Sequence, residues 1–108
     1  MSTLPDLFSA LSDPTRFAIV ERLMREGELP AGRIGEDFPI SAPAVSRHLD
    51  VLLRAGVVDR RISAQSRIYR VRPEAIEAIS AWTISHKDFW ESSLRRLEQA
   101  LTKEMTRK

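Results

Sequence analysis

The chain reads as mainly α with a small β-hairpin, an α+β protein, and three observations predict this. Apolar residues recur at helical spacing in four places before residue 56 and again along a stretch after residue 73. Between them, apolar and polar residues alternate on either side of Ala64-Gln65-Ser66. Helix-start and helix-stop residues stand at the junctions: Asp13-Pro14 and Ser41 before helical runs, Gly27 and Gly56 after them.

The first helix comes from Leu4, Leu7, Phe8 and Leu11 at i, i+3, i+4, i+7, with Pro5 tolerated in its first turn. Asp13 caps a second helix, Pro14 fits its first position, and Gly27 stops it after Glu26. Phe17, Val20, Leu23 and Met24 are its expected buried stripe. A short third helix is expected over 31–37, with Ile34 and Phe38 inward, although Gly32 and Gly35 weaken its propensity. Ser41 caps a fourth helix over 41–55, with Pro43 in its first turn. The stretch 59–72 is a two-stranded hairpin with arginines on exposed positions and Ile62 and Ile68 on its two arms. Pro73 opens a long helical region over 74–105, bearing Trp82, Phe89, Trp90, Leu94, Leu97, Leu101 and Met105, with a break expected near 80–82.

Composition narrows the function classes. At 108 residues the chain is the size of one domain, since single cores typically run ~100–150 residues. With 43% hydrophobic and 30% charged residues, it has the balance of a globular domain and not of a disordered one. No apolar run approaches the roughly 20 residues of a membrane span, and the N-terminus lacks the pattern of a signal peptide. The absence of cysteine excludes disulfides, thiolate metal sites, cysteine nucleophiles and thiol redox sensing. A cytoplasmic location is the expectation. Net charge is +2, but residues 1–32 carry −2, residues 33–72 carry +4 and residues 73–108 carry zero. The excess in the middle third is all arginine, whose planar fork of donors matches phosphates and guanine edges.

Helices two, three and four followed by a hairpin are the order of a winged helix-turn-helix. At about 100° per residue, Val45, Leu49, Leu52 and Leu53 fall on one narrow arc of the fourth helix. Arg47, Asp50 and Arg54 lie opposite, and Ser46 and His48 flank the arc. A helix anchored on one face and presenting short polar groups and arginines on the other suits insertion into a DNA groove.

The stretch SAPAVSRHLDVLLRAGVVDRRISAQSRIYRV resembles the helix-turn-helix and wing of the ArsR-type bacterial transcriptional repressors, and ALSDPTRFAIVERL resembles that family's second helix. The likeness covers roughly residues 7–72. It implies a homodimeric winged-helix repressor whose dimer is built from the first and last helices. It also implies that Ser46, Arg47 and His48 enter the major groove, and the motif matches at Ser41, whose hydroxyl and neighbouring amides suit a phosphate. Metal-sensing members carry a cysteine pair around the third helix, where this chain has Glu28-Leu29-Pro30-Ala31-Gly32. Others hold metal on the last helix. Here only His86, Asp88 and Glu91 are available, one histidine with poor spacing, so the expectation is no metal and no cofactor.

The expected organisation is a single domain over 1–108: a dimerisation helix over 1–12, a DNA-binding core and wing over 13–72, and a C-terminal dimerisation helix over 73–108. The DNA-contacting set is Ser41, Ser46, Arg47, His48 and Arg54 from the fourth helix with Arg61, Gln65 and Arg67 from the wing. Outward members of Arg60, Arg61, Arg67 and Arg70 are expected on phosphate or in the minor groove, Arg67 above all. The dimer set is Leu4, Leu7, Phe8, Leu11, Trp90, Leu94, Leu97 and Leu101. Tyr69 suits wing packing and DNA contact equally, and Trp82, Phe89 and Trp90 suit an interface more than a small-molecule pocket. No catalytic triad, phosphate loop or dinucleotide fingerprint is present, so an enzyme is not expected. The partners are thus operator DNA and a second copy of the chain, with a small-molecule or protein effector left open. The competing reading is a winged-helix module whose arginines meet an acidic protein.

Overall fold

The junction residues act as caps in the computed structural model, which describes residues 3–106. Its elements are α1 (Leu4–Leu11), α2 (Pro14–Glu26), β1 (Leu29–Pro30), α3 (Ala31–Gly35), α4 (Ala42–Arg54), β2 (Val58–Ser63), β3 (Ser66–Val71), α5 (Pro73–Ser85) and α6 (Lys87–Thr106). Thr3 opens α1 with a reciprocal capping box: its hydroxyl accepts from the Asp6 amide at 3.3 Å, and its own amide donates to the Asp6 carboxylate at 3.0 Å. The Asp13 carboxylate accepts the Arg16 amide at 3.0 Å to start α2, and the Ser41 hydroxyl accepts the Ala44 amide at 3.2 Å to start α4. Gly27 and Gly56 both take φ 81°, a positive φ that glycine accepts and other residues resist, just after α2 and α4.

The chain forms two compact units, one ending at Ala78 and the other starting at Ile79, with the division inside α5. In the first, Ile19, Ile34, Leu49 and Leu52 are fully buried, joined by Val20, Leu23, Val45, Val57, Val58 and Tyr69. Burying a leucine contributes about 1.5–3 kcal/mol, so Leu49 and Leu52 hold the inner face of α4 firmly on the core. Leu7 and Ala10 of α1 are also buried here.

The sheet has three antiparallel strands in the order β1-β3-β2, not the two of the expected hairpin. Strand β1 is too short to show alternation, and it forms where Leu29 pairs with Tyr69 and Pro30 with Ile68. Proline is tolerated there because β1 is an edge strand. In the hairpin, Val58 pairs with Val71, Arg60 with Tyr69, Ile62 with Arg67 and Ser63 with Ser66, leaving Ala64 and Gln65 as the turn. Ala64 adopts φ 54°, a left-handed conformation that costs a non-glycine residue energy.

Three expectations are corrected. The buried face of α2 carries Ile19, Val20, Arg22 and Leu23, while Phe17 and Met24 are about half exposed. Both stripes satisfy helical spacing, and packing on neighbouring elements chose between them. Arg22 can be buried because its guanidinium is engaged by acids and backbone, Nε by Glu26 at 2.7 Å and Nη1 by Asp37 at 2.6 Å and the Arg33 carbonyl at 2.8 Å. The third helix ends at Gly35, before the expected 37. The break in the C-terminal helical region lies at His86 and not near 80–82. There the Ser85 hydroxyl donates to the Trp82 carbonyl at 2.8 Å and His86 Nδ1 lies 2.8 Å from the same oxygen, so side chains take over a late carbonyl of α5.

In the second unit, α6 buries no residue. Phe89, Trp90, Leu94, Leu97, Leu101 and Met105 all remain exposed. Among the described residues, no helix is long and apolar enough to cross a membrane.

Candidate nucleic-acid interface

Helix α4 presents its polar face as a direct consequence of its buried one. With Val45, Leu49 and Leu52 inward, Ser46 and Arg47 are exposed. Arg47 has no ion-pair partner among the described residues, and its guanidinium is free to donate. Ser41 is exposed at the N-terminus of the helix, with its hydroxyl engaged in the cap.

His48 is placed differently. Its Nδ1 lies 3.4 Å from Arg16 Nη1 and 3.9 Å from the Asp13 carboxylate, and its side chain is 24% exposed. It therefore braces α4 against the start of α2, and of the three Ser46 and Arg47 stand outward. Arg16 is itself anchored, donating from Nε to the Ala10 carbonyl at 2.6 Å. The hydrogen bond from the Arg16 amide holds the Asp13 carboxyl below its ordinary range. Arg54 lies at the far end of α4, in a depression shared with Asp6, Ser9 and Ala10 of α1. Seven residues separate it from Arg47, about 10 Å along the helix.

Strand alternation divides the wing arginines into two sets. Arg61 and Arg70 lie on one face of the hairpin, and both are paired with acids. Arg61 donates to Glu28 at 2.6 Å and Arg70 to Asp59 at 3.0 Å, while Arg72 lies 3.4 Å from both Asp59 and Glu74. The Arg61 hydrogen bond lowers the Glu28 pKa, and Glu28 raises that of Arg61. Arg60 and Arg67 lie on the opposite face and have no ion-pair partner among the described residues. Of the two wing arginines in the expected contact set, Arg61 is thus already held by an acid and Arg67, among the described residues, is not. Arg60, expected to contact DNA only if it faced outward, is likewise without an acid among the described residues. Tyr69 is 2% exposed and belongs to the core, which leaves wing packing as its role. Gln65 is exposed at the tip beside Ala64.

The dimer set is also divided. Leu7 is only 4% exposed within a single chain, so it is already used. Leu4 and Leu11 are half-buried, whereas Phe8, Trp90, Leu94, Leu97 and Leu101 are all exposed. Trp82 meets His86 at a tilt and Trp90 edge-on, at centroid distances of 5.0 and 6.2 Å, and Phe89 meets Trp90 edge-on at 4.8 Å. Among the described residues, no group of three or more His, Asp or Glu could hold a metal ion. His86 turns Nδ1 to a backbone carbonyl, and Glu91 lies 3.7 Å from Lys87.

A family model described as a helix-turn-helix domain matches residues 11–61. The HTH-type transcriptional regulator Rv2034 of Mycobacterium tuberculosis is 38% identical over 97 residues, spanning 90% of this chain and 87% of the relative. The transcriptional repressor SdpR of Bacillus subtilis is 34% identical over 80 residues, 74% of this chain and 88% of that protein. Among solved structures, an ArsR family transcriptional regulator superposes with a TM-score of 0.75 at 28% identity, covering 82% of this chain and 96% of the other. An exposed arginine on a capped helix, a basic hairpin after it, and these likenesses agree: the chain belongs to the ArsR family of helix-turn-helix transcriptional regulators, not to an enzyme family.

Proposed function

We propose that the protein is a homodimeric repressor that reads a palindromic operator. In this reading α4 enters the major groove with Ser46 and Arg47 toward base edges, and the Ser41 end of the helix approaches a phosphate. The wing meets the backbone or minor groove through Arg67 and Arg60, with Gln65 at the tip. The observation that carries the reading is the pattern of free and engaged arginines. Among the described residues, Arg47, Arg60 and Arg67 have no ion-pair partner, while Arg61, Arg70 and Arg72 are held by acids. His48 acts by holding α4 in position, and Arg54 stands beside α1.

Dimerisation is supported by the Trp90–Leu94–Leu97–Leu101 stripe, exposed along a helix that buries nothing, with Phe8, Leu4 and Leu11 of α1 as the second contribution. Large exposed apolar stripes mark association surfaces, and two-fold pairing would cover the same stripe on both copies. The repressor sense is supported by the name of the Bacillus relative.

The test is selection of a duplex from random DNA, followed by mobility shift and sedimentation. The expected duplex holds two inverted half-sites with centres about one helical turn, or a multiple of it, apart. A stable monomer at micromolar concentration, or failure to enrich any sequence, refutes the proposal.

A further inference from the structure

The wing tip carries an apolar side chain that the core does not use. Ile62 is 70% exposed. It pairs across the hairpin with Arg67, and Arg60 stands two residues before it on the same face. That face begins with the buried Val58 and Tyr69 and runs outward past the edge of the core to these three residues. Both arginines lack an ion-pair partner among the described residues, and positions 60–67 contain no acid. The turn beyond Ile62 is built from Ser63, Ala64, Gln65 and Ser66, and it leaves the isoleucine open to solvent. An apolar side chain flanked by two free cations is complementary to a polyanion with an apolar interior, which describes base-pair edges between two phosphate rows.

We propose that Ile62 is an apolar wedge that enters the minor groove between Arg60 and Arg67 and partly unstacks a base step. Pyrimidine–purine steps open most readily, so the wing would add selectivity through DNA deformability at positions that no side chain reads by hydrogen bonds. This rests on the placement of the wing on DNA proposed above. The exposure of Ile62 makes its replacement tolerable for folding, which a thermal melt verifies.

The experiment uses the full chain and a duplex selected from random DNA by the unaltered protein. The duplex carries 2-aminopurine in its flanks and end labels for energy transfer. Ile62→Thr keeps β-branching while removing the apolar tip, and Ile62→Met keeps an apolar tip of different shape. Ile62→Thr is expected to lose about tenfold in affinity for this duplex with an unchanged salt slope, because no charge is removed. The aminopurine signal and the bend should fall toward those of free DNA, while Ile62→Met should retain most of both. If Ile62→Thr matches the unaltered protein in affinity, bend and aminopurine signal, the wedge is refuted while the wing's place on DNA stands. If Arg60 and Arg67 replacements also leave binding unchanged, the wing reading itself falls, and the tip serves another partner.

Discussion

Removing Arg67 and removing Arg61 should have different electrostatic consequences, although the two lie on the same short hairpin. Each phosphate neutralised by a cation contributes about 0.9 to the slope of log affinity against log salt. Arg67 has no acid partner among the described residues, and the proposed dimer would present it twice. Arg67→Ala should therefore lower the slope by about 1.8. Between roughly 50 and 200 mM salt, a fourfold range, that change amounts to about a twelvefold difference in relative affinity. The deficit of the variant should thus be about twelve times larger at the lower salt. Arg61 is held by Glu28 at 2.6 Å, so Arg61→Ala should change the slope far less. Glu28→Gln releases Arg61 and should steepen it, by up to the same ~1.8 for two wings. The assay is fluorescence anisotropy across a salt series on selected and random duplexes. Equal slopes for the Arg61 and Arg67 variants would refute the division of the wing into engaged and free arginines.

Further outcomes follow from the same geometry. Arg47→Ala should cost about 1–3 kcal/mol on the selected duplex and relax specificity at one position per half-site, as read by competition with singly altered duplexes; equal loss on random DNA would contradict base contact. Leu94 and Leu97 changed together to Asp should yield a monomer by sedimentation with weak DNA affinity, and a dimer that persists would show that the stripe is not the interface. Ala64→Gly should stabilise the chain by about 0.5–1 kcal/mol in urea unfolding, because glycine accepts φ 54° without the steric cost that alanine bears. Asp13, whose folded pKa is depressed below its ordinary 3.8 by the Arg16 amide, contributes stability that is present above 3.8 and lost as pH falls through the folded value. Asp13→Asn should therefore flatten the acid limb of a thermal-stability profile, and an unchanged limb would remove the cap from this account.

Helix ends were legible in the chain because capping is an interaction between residues three or four apart. Asp13, Ser41, Gly27 and Gly56 stand where the structure uses them, and the anchoring arc Val45–Leu49–Leu52 repeats within one helix. From that arc the outward position of Arg47 follows by rotation alone. The resemblance in the stretch from the fourth helix through the wing carried the family, since it spans residues whose types are set by these local rules.

Other features depended on partners far away in sequence. The α2 sequence is apolar at 17–20 and again at 23 and 24, so periodicity could not choose between Phe17 and Ile19 as the inward residue. The choice came with α3, whose Arg33 carbonyl and following Asp37 take up the Arg22 guanidinium. Strand β1 exists only because Leu29 meets Tyr69, and the neutralised state of Arg61 only because that pairing brings Glu28 alongside the hairpin. His48 turns from the exposed face because Arg16 and Asp13 reach it from the start of α2. Local hydrogen bonds and helical spacing act within a few residues, and so they can be read along the chain. Which side chain is buried, and which charge is left free for a partner, depends on contacts between residues 11 to 40 positions apart, and folding alone brings those together.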